Sequence, residues 1–198
     1  VDIDLHDRVR RLGKQFVGKS VSDKEWGRIT TAIARKQVLI ADYENRDGKV
    51  GEVDIAPLAV WFSDGRAYVL AAGATDKKIR AWRIDRFSES RIDLSKKAPE
   101  IAQDEIEKTL RTSFKGYISA PVEVHLKVKP EAAYLFREFE YHSTQNIDEQ
   151  PDGSLYVTMK CAMGWGLEEW ILGFGELIEV KGPEELRERL AGRVSKLH

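Results

Sequence analysis

The segment Arg80-Ala81-Trp82-Arg83-Ile84-Asp85-Arg86-Phe87 gathers three guanidinium groups and one carboxylate among large apolar side chains. Guanidinium groups this close repel one another unless an acid or a bound anion compensates. The planar fork of arginine also suits phosphate better than any other side chain. Two outcomes are therefore open: a salt-bridged structural strand, or one wall of an anion-binding pocket. On a continuous strand, Arg80, Trp82, Ile84 and Arg86 share one face, and Arg83 and Asp85 share the other. Trp82 and Ile84 turn the first face inward, which leaves Arg80 and Arg86 at the ends of a buried strip. On the strand alone, pairing of Arg83 or Arg86 with Asp85 or Glu89 is the favoured outcome. Tyr43 and Tyr68, on neighbouring predicted strands, are the aromatic candidates. A tyrosine can stack under a base or donate to a phosphate, although a strand tyrosine is more often half-buried core with a wet hydroxyl.

Other chemistries find little support. The four histidines (His6, His125, His142, His198) are scattered, and none has ligand spacing around the single Cys161, so no metal is expected. Cys161 reads as a small core residue. Gly164-Trp165-Gly166 and Gly173-Phe174-Gly175 match neither dinucleotide nor P-loop spacing. No paired carboxylates and no nucleophile–base set stand out, so the expectation is a protein that is not an enzyme and needs no cofactor.

Composition agrees with a folded, solvated chain. Of the 198 residues 42% are hydrophobic and 33% charged, which argues against disorder. A lone cysteine cannot form an internal disulfide, so a reducing, cytoplasmic setting is expected. No apolar run reaches membrane-spanning length. The chain starts at Val1 rather than Met, which leaves room for an upstream region. The net charge of −1 hides an asymmetry: residues 76–97 carry eight bases against four acids, whereas residues 131–190 carry thirteen acids against five bases. An anionic ligand is drawn to the first region and repelled by the second.

The elements that must position these residues follow from periodicity. Residues 2–17 show near-helical apolar spacing and predict a connecting helix. Ser22 with Glu25 forms a capping box for a second helix that buries Trp26, Ile29 and Ile33. Five strands are predicted next, over 37–44, 50–62, 67–72, 79–87 and 88–94, joined by tight turns such as Asn45-Arg46-Asp47-Gly48 and Ser63-Asp64-Gly65-Arg66. Pro57 within the second implies an edge or a bend. Five short strands behind a helix argue for a small barrel. A junction with one short helix over 104–114 leads to strict alternation over 122–128. The order β-α-β-β-α-β that follows is the ferredoxin-like pattern.

These residues also carry a family resemblance. Arg80-x-Trp82-Arg83-Ile84-Asp85-Arg86-Phe87 resembles the R-x-F-R-L-D-R-I strand of bacterial WYL-domain proteins. Ala32-Ile33-Ala34, Leu39-Ile40-x-x-Tyr43, Ala56-Pro57-Leu58 and Asp64-Gly65-Arg66-Ala67-Tyr68-Val69 precede it in the family's order. Trp170-Ile171-Leu172-x-Phe174-Gly175 and Glu179-Val180-x-x-Pro183-x-x-Leu186-Arg187 resemble the domain that usually follows WYL. Together they span residues 25–198. The chain departs from the pattern at Ala67 and Val69, which flank the retained tyrosine, and at Glu52-Val53-Asp54, where the family often has an arginine.

The resemblance implies an α+β chain: a helical linker over 1–35, a small Sm/SH3-like β-barrel over 36–97, a junction over 98–121 and a ferredoxin-like βαββαβ domain over 122–198. It implies a ligand-sensing and dimerising region of a bacterial transcriptional regulator, with a nucleotide or single-stranded nucleic acid held by Arg80, Arg83, Arg86, Tyr68 and Tyr43. It reverses the preference for simple ion pairing on the arginine strand. Homodimerisation is the family's habit. Contact with duplex DNA would fall to an N-terminal winged helix-turn-helix, which residues 1–35 are too short to supply. The alternative is a stand-alone accessory protein that binds nucleic acid or modulates a CRISPR or phage-defence effector.

Overall fold

A computed structural model describes residues 20–197; the helix expected over 2–17 lies outside the described residues. Helix α1 (Asp23–Arg35) begins where its sequence says it should. The amide of Glu25 donates to Ser22 Oγ at 3.2 Å, and Lys36 in the left-handed region ends the helix. Ile29 and Ala32, on its apolar stripe, are fully buried.

Five antiparallel strands follow: β1 (Gln37–Glu44), β2 (Val50–Ser63), β3 (Arg66–Gly73), β4 (Ile79–Arg83) and β5 (Phe87–Lys97), in the spatial order β4-β3-β2-β1-β5. Strands β4 and β5 are neighbours in sequence yet lie at opposite edges. Across a flat five-stranded sheet those edges would stand roughly 19 Å apart at the usual interstrand spacing. The four-residue step from Arg83 to Phe87 reaches at most about 14 Å, so the sheet has to curl. Strand β2 shows how. Its residues 50–55 pair with β1 and its residues 55–63 pair with β3, with a bulge between Pro57 and Ala59. Pro57 thus sits just past the last β1 pair, where a missing amide donor does no harm.

The arginine segment is not one strand. It breaks after Arg83 into a single 3₁₀ turn, Ile84–Arg86, before β5 begins. The reason is apolar: Ile84 and Phe87 are both buried, at 1% and 6% exposure. On a continuous strand, residues three apart face opposite ways; in a 3₁₀ turn they eclipse. The turn lets both enter the core formed with Ile29, Leu39, Ala41, Ile55, Val69 and Ala71.

The second unit joins β6 (Pro121–Val128), α3 (Pro130–Glu138), β7 (Asn146–Glu149), β8 (Leu155–Ala162), α4 (Trp165–Leu172), β9 (Ile178–Gly182) and α5 (Glu184–Val194). Its antiparallel sheet has the order β7-β8-β6-β9. Val124, Leu126 and Val128 point to one fully buried face, as the alternation predicts. Strand β7 begins only at Asn146, because His142, Ser143 and Thr144 are engaged otherwise. Buried Glu168 on α4 receives Arg189 at 2.7 Å and also Arg193, tying α5 to α4. Burial pushes the Cys161 thiol up to about 12, in keeping with an inert core position. The described residues therefore form a mixed α/β structure with two antiparallel sheets and five α-helices. None of the helices among the described residues is long and apolar enough to cross a membrane.

Between the units lies α2 (Gln103–Thr112), which ends before the tight turn Phe114–Tyr117. His142 fastens this junction to the second unit. Its Nε2 lies 3.0 Å from the Ser113 carbonyl, its Nδ1 accepts from the Thr144 amide at 3.2 Å, and its ring stacks on Phe114. These partners fit a neutral imidazole donating from Nε2. Desolvation holds its pKa below that of an ordinary imidazole; the Ser113 carbonyl and Glu140 pull the other way, and Arg111 lowers it further. A histidine that resists protonation when folded makes the unfolded state the better proton binder, so its stability contribution is complete above about pH 6.5 and is lost as pH falls below it. The urea midpoint should therefore drop between about pH 7.5 and about pH 5.5, and His142→Gln should flatten that drop; an unchanged slope in the variant would assign the pH dependence elsewhere.

Candidate nucleic-acid interface

A concavity that gathers several of the predicted residues lies where β1, β4 and the 3₁₀ turn meet. Its walls are Tyr43, Asn45, Arg46, Arg80, Ala81, Trp82 and Arg86, and its volume is about 230 Å³. The β1–β2 hairpin supplies the rim. Asn45 Oδ1 accepts from the amides of Asp47 at 2.9 Å and Lys49 at 3.0 Å, an Asx turn that fixes the tip and leaves the Arg46 side chain outside it. Gly48, at φ +76°, completes the turn.

The floor is aromatic. Tyr43 meets Trp82 edge-on at 4.8 Å between centroids and Phe87 at 4.9 Å. Tyr43 pairs with Phe87 across β1 and β5, while its hydroxyl accepts the backbone amide of Arg83 at 3.3 Å. One tyrosine thus touches both edges of the curled sheet.

The arginines divide into two kinds. Arg83 forms a two-point pair with Asp85, at 3.0 and 2.5 Å, with side-chain exposures of only 19% and 8%. The Asp85 carboxylate raises the Arg83 pKa further, against desolvation. Arg80 pairs with Asp76 at 2.5 Å on the surface, and that guanidinium holds the Asp76 carboxyl down to about 2. Arg86 and Arg46 line the cleft, and among the described residues neither has a carboxylate within ion-pairing distance. The cleft therefore presents three guanidinium groups, of which only Arg80 is paired with an acid among the described residues.

Of the predicted site residues, Arg80, Arg86 and Tyr43 are brought together. Arg83 and Tyr68 do not line the cleft. Arg83 faces away with Asp85, as the alternation of β4 predicts. Tyr68 pairs in register with Arg83 and stacks on Trp61 at 5.2 Å, 20° between planes. Sequence reasoning missed Arg46 and Asn45, absorbed into a hairpin signal, and treated Trp82 as core alone. Spacing offered one clue to Arg46: it lies three residues past Tyr43, at the open end of the same strand. No group of three or more His, Cys, Asp or Glu among the described residues could hold a metal ion.

Comparison with known proteins sets this geometry in a family. Residues 25–92 match the WYL domain and residues 120–197 match the WCX domain. The chain therefore contains a WYL domain followed by a WCX domain. It is 28% identical over 166 residues to Protein PafC of Mycobacterium tuberculosis, covering 82% of this chain and 50% of the relative, and 27% identical over 165 residues to Protein PafC of Mycobacterium leprae, covering 82% and 49%. The chain spans about half the length of these curated relatives. Among solved structures it resembles one titled as a CRISPR Cas-related protein, with a TM-score of 0.58 at 11% identity over 87% of this chain and 51% of that one. It also aligns with proteasome accessory factor B/C of Arthrobacter aurescens, at 22% identity and a TM-score of 0.40, over 90% of this chain and 28% of that one.

The two ion pairs should respond differently to removal. Arg83→Ala strands a nearly buried carboxylate and should cost about 2–3 kcal/mol in urea denaturation. Arg80→Ala breaks a surface pair and should leave the midpoint almost unchanged. The reverse order would mean that Arg83 is not the structural arginine.

Proposed function

We propose that this chain is the ligand-sensing and dimerising part of a bacterial transcriptional regulator, and that its cleft takes an anionic effector, a nucleotide or a single-stranded nucleic acid. The observation that carries this is Arg86: a partly buried guanidinium in a concavity, beside Trp82 and Tyr43, with no carboxylate paired to it among the described residues. An uncompensated arginine beside aromatic edges is what a phosphate-linked base requires. Arg80 and Arg46 add positive field at the rim, and the acidic second unit keeps a polyanion from settling elsewhere.

The family membership supports a regulatory role. Contact with duplex DNA would belong to a winged helix-turn-helix outside this region, and the WCX part would supply dimerisation. The finer architecture belongs to the same proposal: the curled sheet as an Sm/SH3-like barrel, and the order β7-β8-β6-β9 as a ferredoxin-like unit. On this account the chain binds and does not catalyse, and it works in the cytoplasm. The alternative, a stand-alone accessory protein that binds nucleic acid or modulates a CRISPR or phage-defence effector, gains from the solved structures only a fold likeness, and fold alone does not carry function.

Titration of a short fluorescein-labelled oligothymidylate, followed by anisotropy at low and high salt, tests the site. Binding should be saturable and salt-sensitive. Arg86→Ala should weaken it at least about tenfold and reduce the salt slope by about one, with the fold intact. Binding that is absent, or indifferent to Arg86, would defeat the assignment.

A further inference from the structure

Resting on the cleft assignment, we infer that Arg46 and Tyr117 form a joint through which an occupant of the cleft loosens the seat of the C-terminal unit. Arg46 lines the cleft and also reaches the junction. Its Nη2 donates to the Tyr117 hydroxyl at 2.8 Å, and its guanidinium carbon lies 5.5 Å from the centre of the Tyr117 ring.

Tyr117 is held from the other side by the second unit. A Cβ on Gly164 would come within 3.3 Å of its ring, and one on Gly166 within 3.1 Å. The ring therefore lies directly on the backbone that opens α4. The turn that presents it is tightly made: Phe114 and Tyr117 exchange both backbone bonds, at 3.0 and 2.9 Å, with Lys115 and Gly116 both at positive φ. Gly116 also abuts Tyr68, whose ring would sit 2.6 Å from an added Cβ, and Lys115 faces Asp64 at 3.9 Å. Tyr68 and Asp64 hold the turn to the first sheet but do not line the cleft. Arg46 belongs to both.

The direction of the effect follows from the strengths of the competing contacts. Tyr117 offers Arg46 a neutral hydroxyl and one face of a half-buried ring. A phosphate offers charge-assisted, two-point hydrogen bonds, roughly twice as strong each. An anion in the cleft therefore draws Arg46 off Tyr117, and the turn over α4 loses one support. By linkage, whatever weakens the Arg46–Tyr117 contact favours the anion.

The test uses the same oligothymidylate with hydrogen exchange on the whole chain. At saturating probe, amides in 113–119 and 164–170 of the wild type should exchange at least about twofold faster. Tyr117→Phe, which keeps the ring and removes the hydroxyl, should bind the probe about two- to fivefold more tightly. Without probe, Arg46→Ala should by itself speed exchange across 164–170. Unchanged exchange in 113–119 on binding, or affinity in Tyr117→Phe equal to or below wild type, overturns the joint. Failure of the probe to bind defeats the cleft assignment instead; the probe-free Arg46→Ala comparison then decides the joint alone, and no change there overturns it.

Discussion

The site depends on Tyr43. A five-stranded sheet whose first and last edges are joined by one 3₁₀ turn must curl, yet β4 and β5 form no backbone ladder with each other. Tyr43 supplies the link that a ladder would otherwise give. Its backbone pairs with Phe87 on one edge, and its hydroxyl accepts the Arg83 amide on the other. That bond satisfies an edge-strand donor which would otherwise face a partly buried corner. Trp82 and Phe87 then pack on the Tyr43 ring, and the gap that remains between hairpin tip and turn is the cleft. A residue expected to touch ligand directly is thus first a structural clamp.

The division among the arginines follows from the same turn. A strand continuing to Phe87 would have set Arg80 and Arg86 on one face as equivalents. The 3₁₀ break redirects the chain, so that Asp85 folds back on Arg83 and neutralises it in place. Arg80 is compensated by Asp76 from the preceding loop. Arg86, at the end of the turn, is left facing the hollow. Three like charges within seven residues are tolerable because two have acids at short range and the third has space. Ion pairing thus holds Arg83 and Arg80, while Arg86 lines the cleft.

Much of this architecture is legible in the chain itself. The Ser22 cap, the hairpins at Asn45–Gly48 and Ser63–Arg66, the strict alternation of Val124, Leu126 and Val128, and the bend at Pro57 all follow from local chemistry. The 3₁₀ turn was hidden because Ile84-Asp85-Arg86 continues the alternating pattern; only the need to bury both Ile84 and Phe87 breaks it, and that need arises from the curl of the whole sheet. Arg46 was hidden for a similar reason. A hairpin signal says where the chain reverses, not which other strand's end stands beside the tip. Tyr68 was legible as important but not in its role, since its neighbours, Trp61 and Gly116, lie across a strand pair and across the junction.

That last placement gives the retained tyrosine a physical purpose without a ligand. Tyr68 stacks between Trp61 and the Gly116 turn, on the side of the sheet away from the cleft. Only a glycine fits at 116, both for its φ of +79° and for the closeness of the ring. The substitutions to Ala67 and Val69 fit this arrangement. Both side chains point to the core face, where Ala67 and Val69 are buried at 9% and 0% exposure, and smaller groups there leave Tyr68 on the opposite face undisturbed. Tyr68 therefore braces the junction turn from the first sheet, while the start of α4 braces it from the second unit through Tyr117. The short turn between them is where the two halves of the chain meet, and Arg46 is what connects that turn to the hollow.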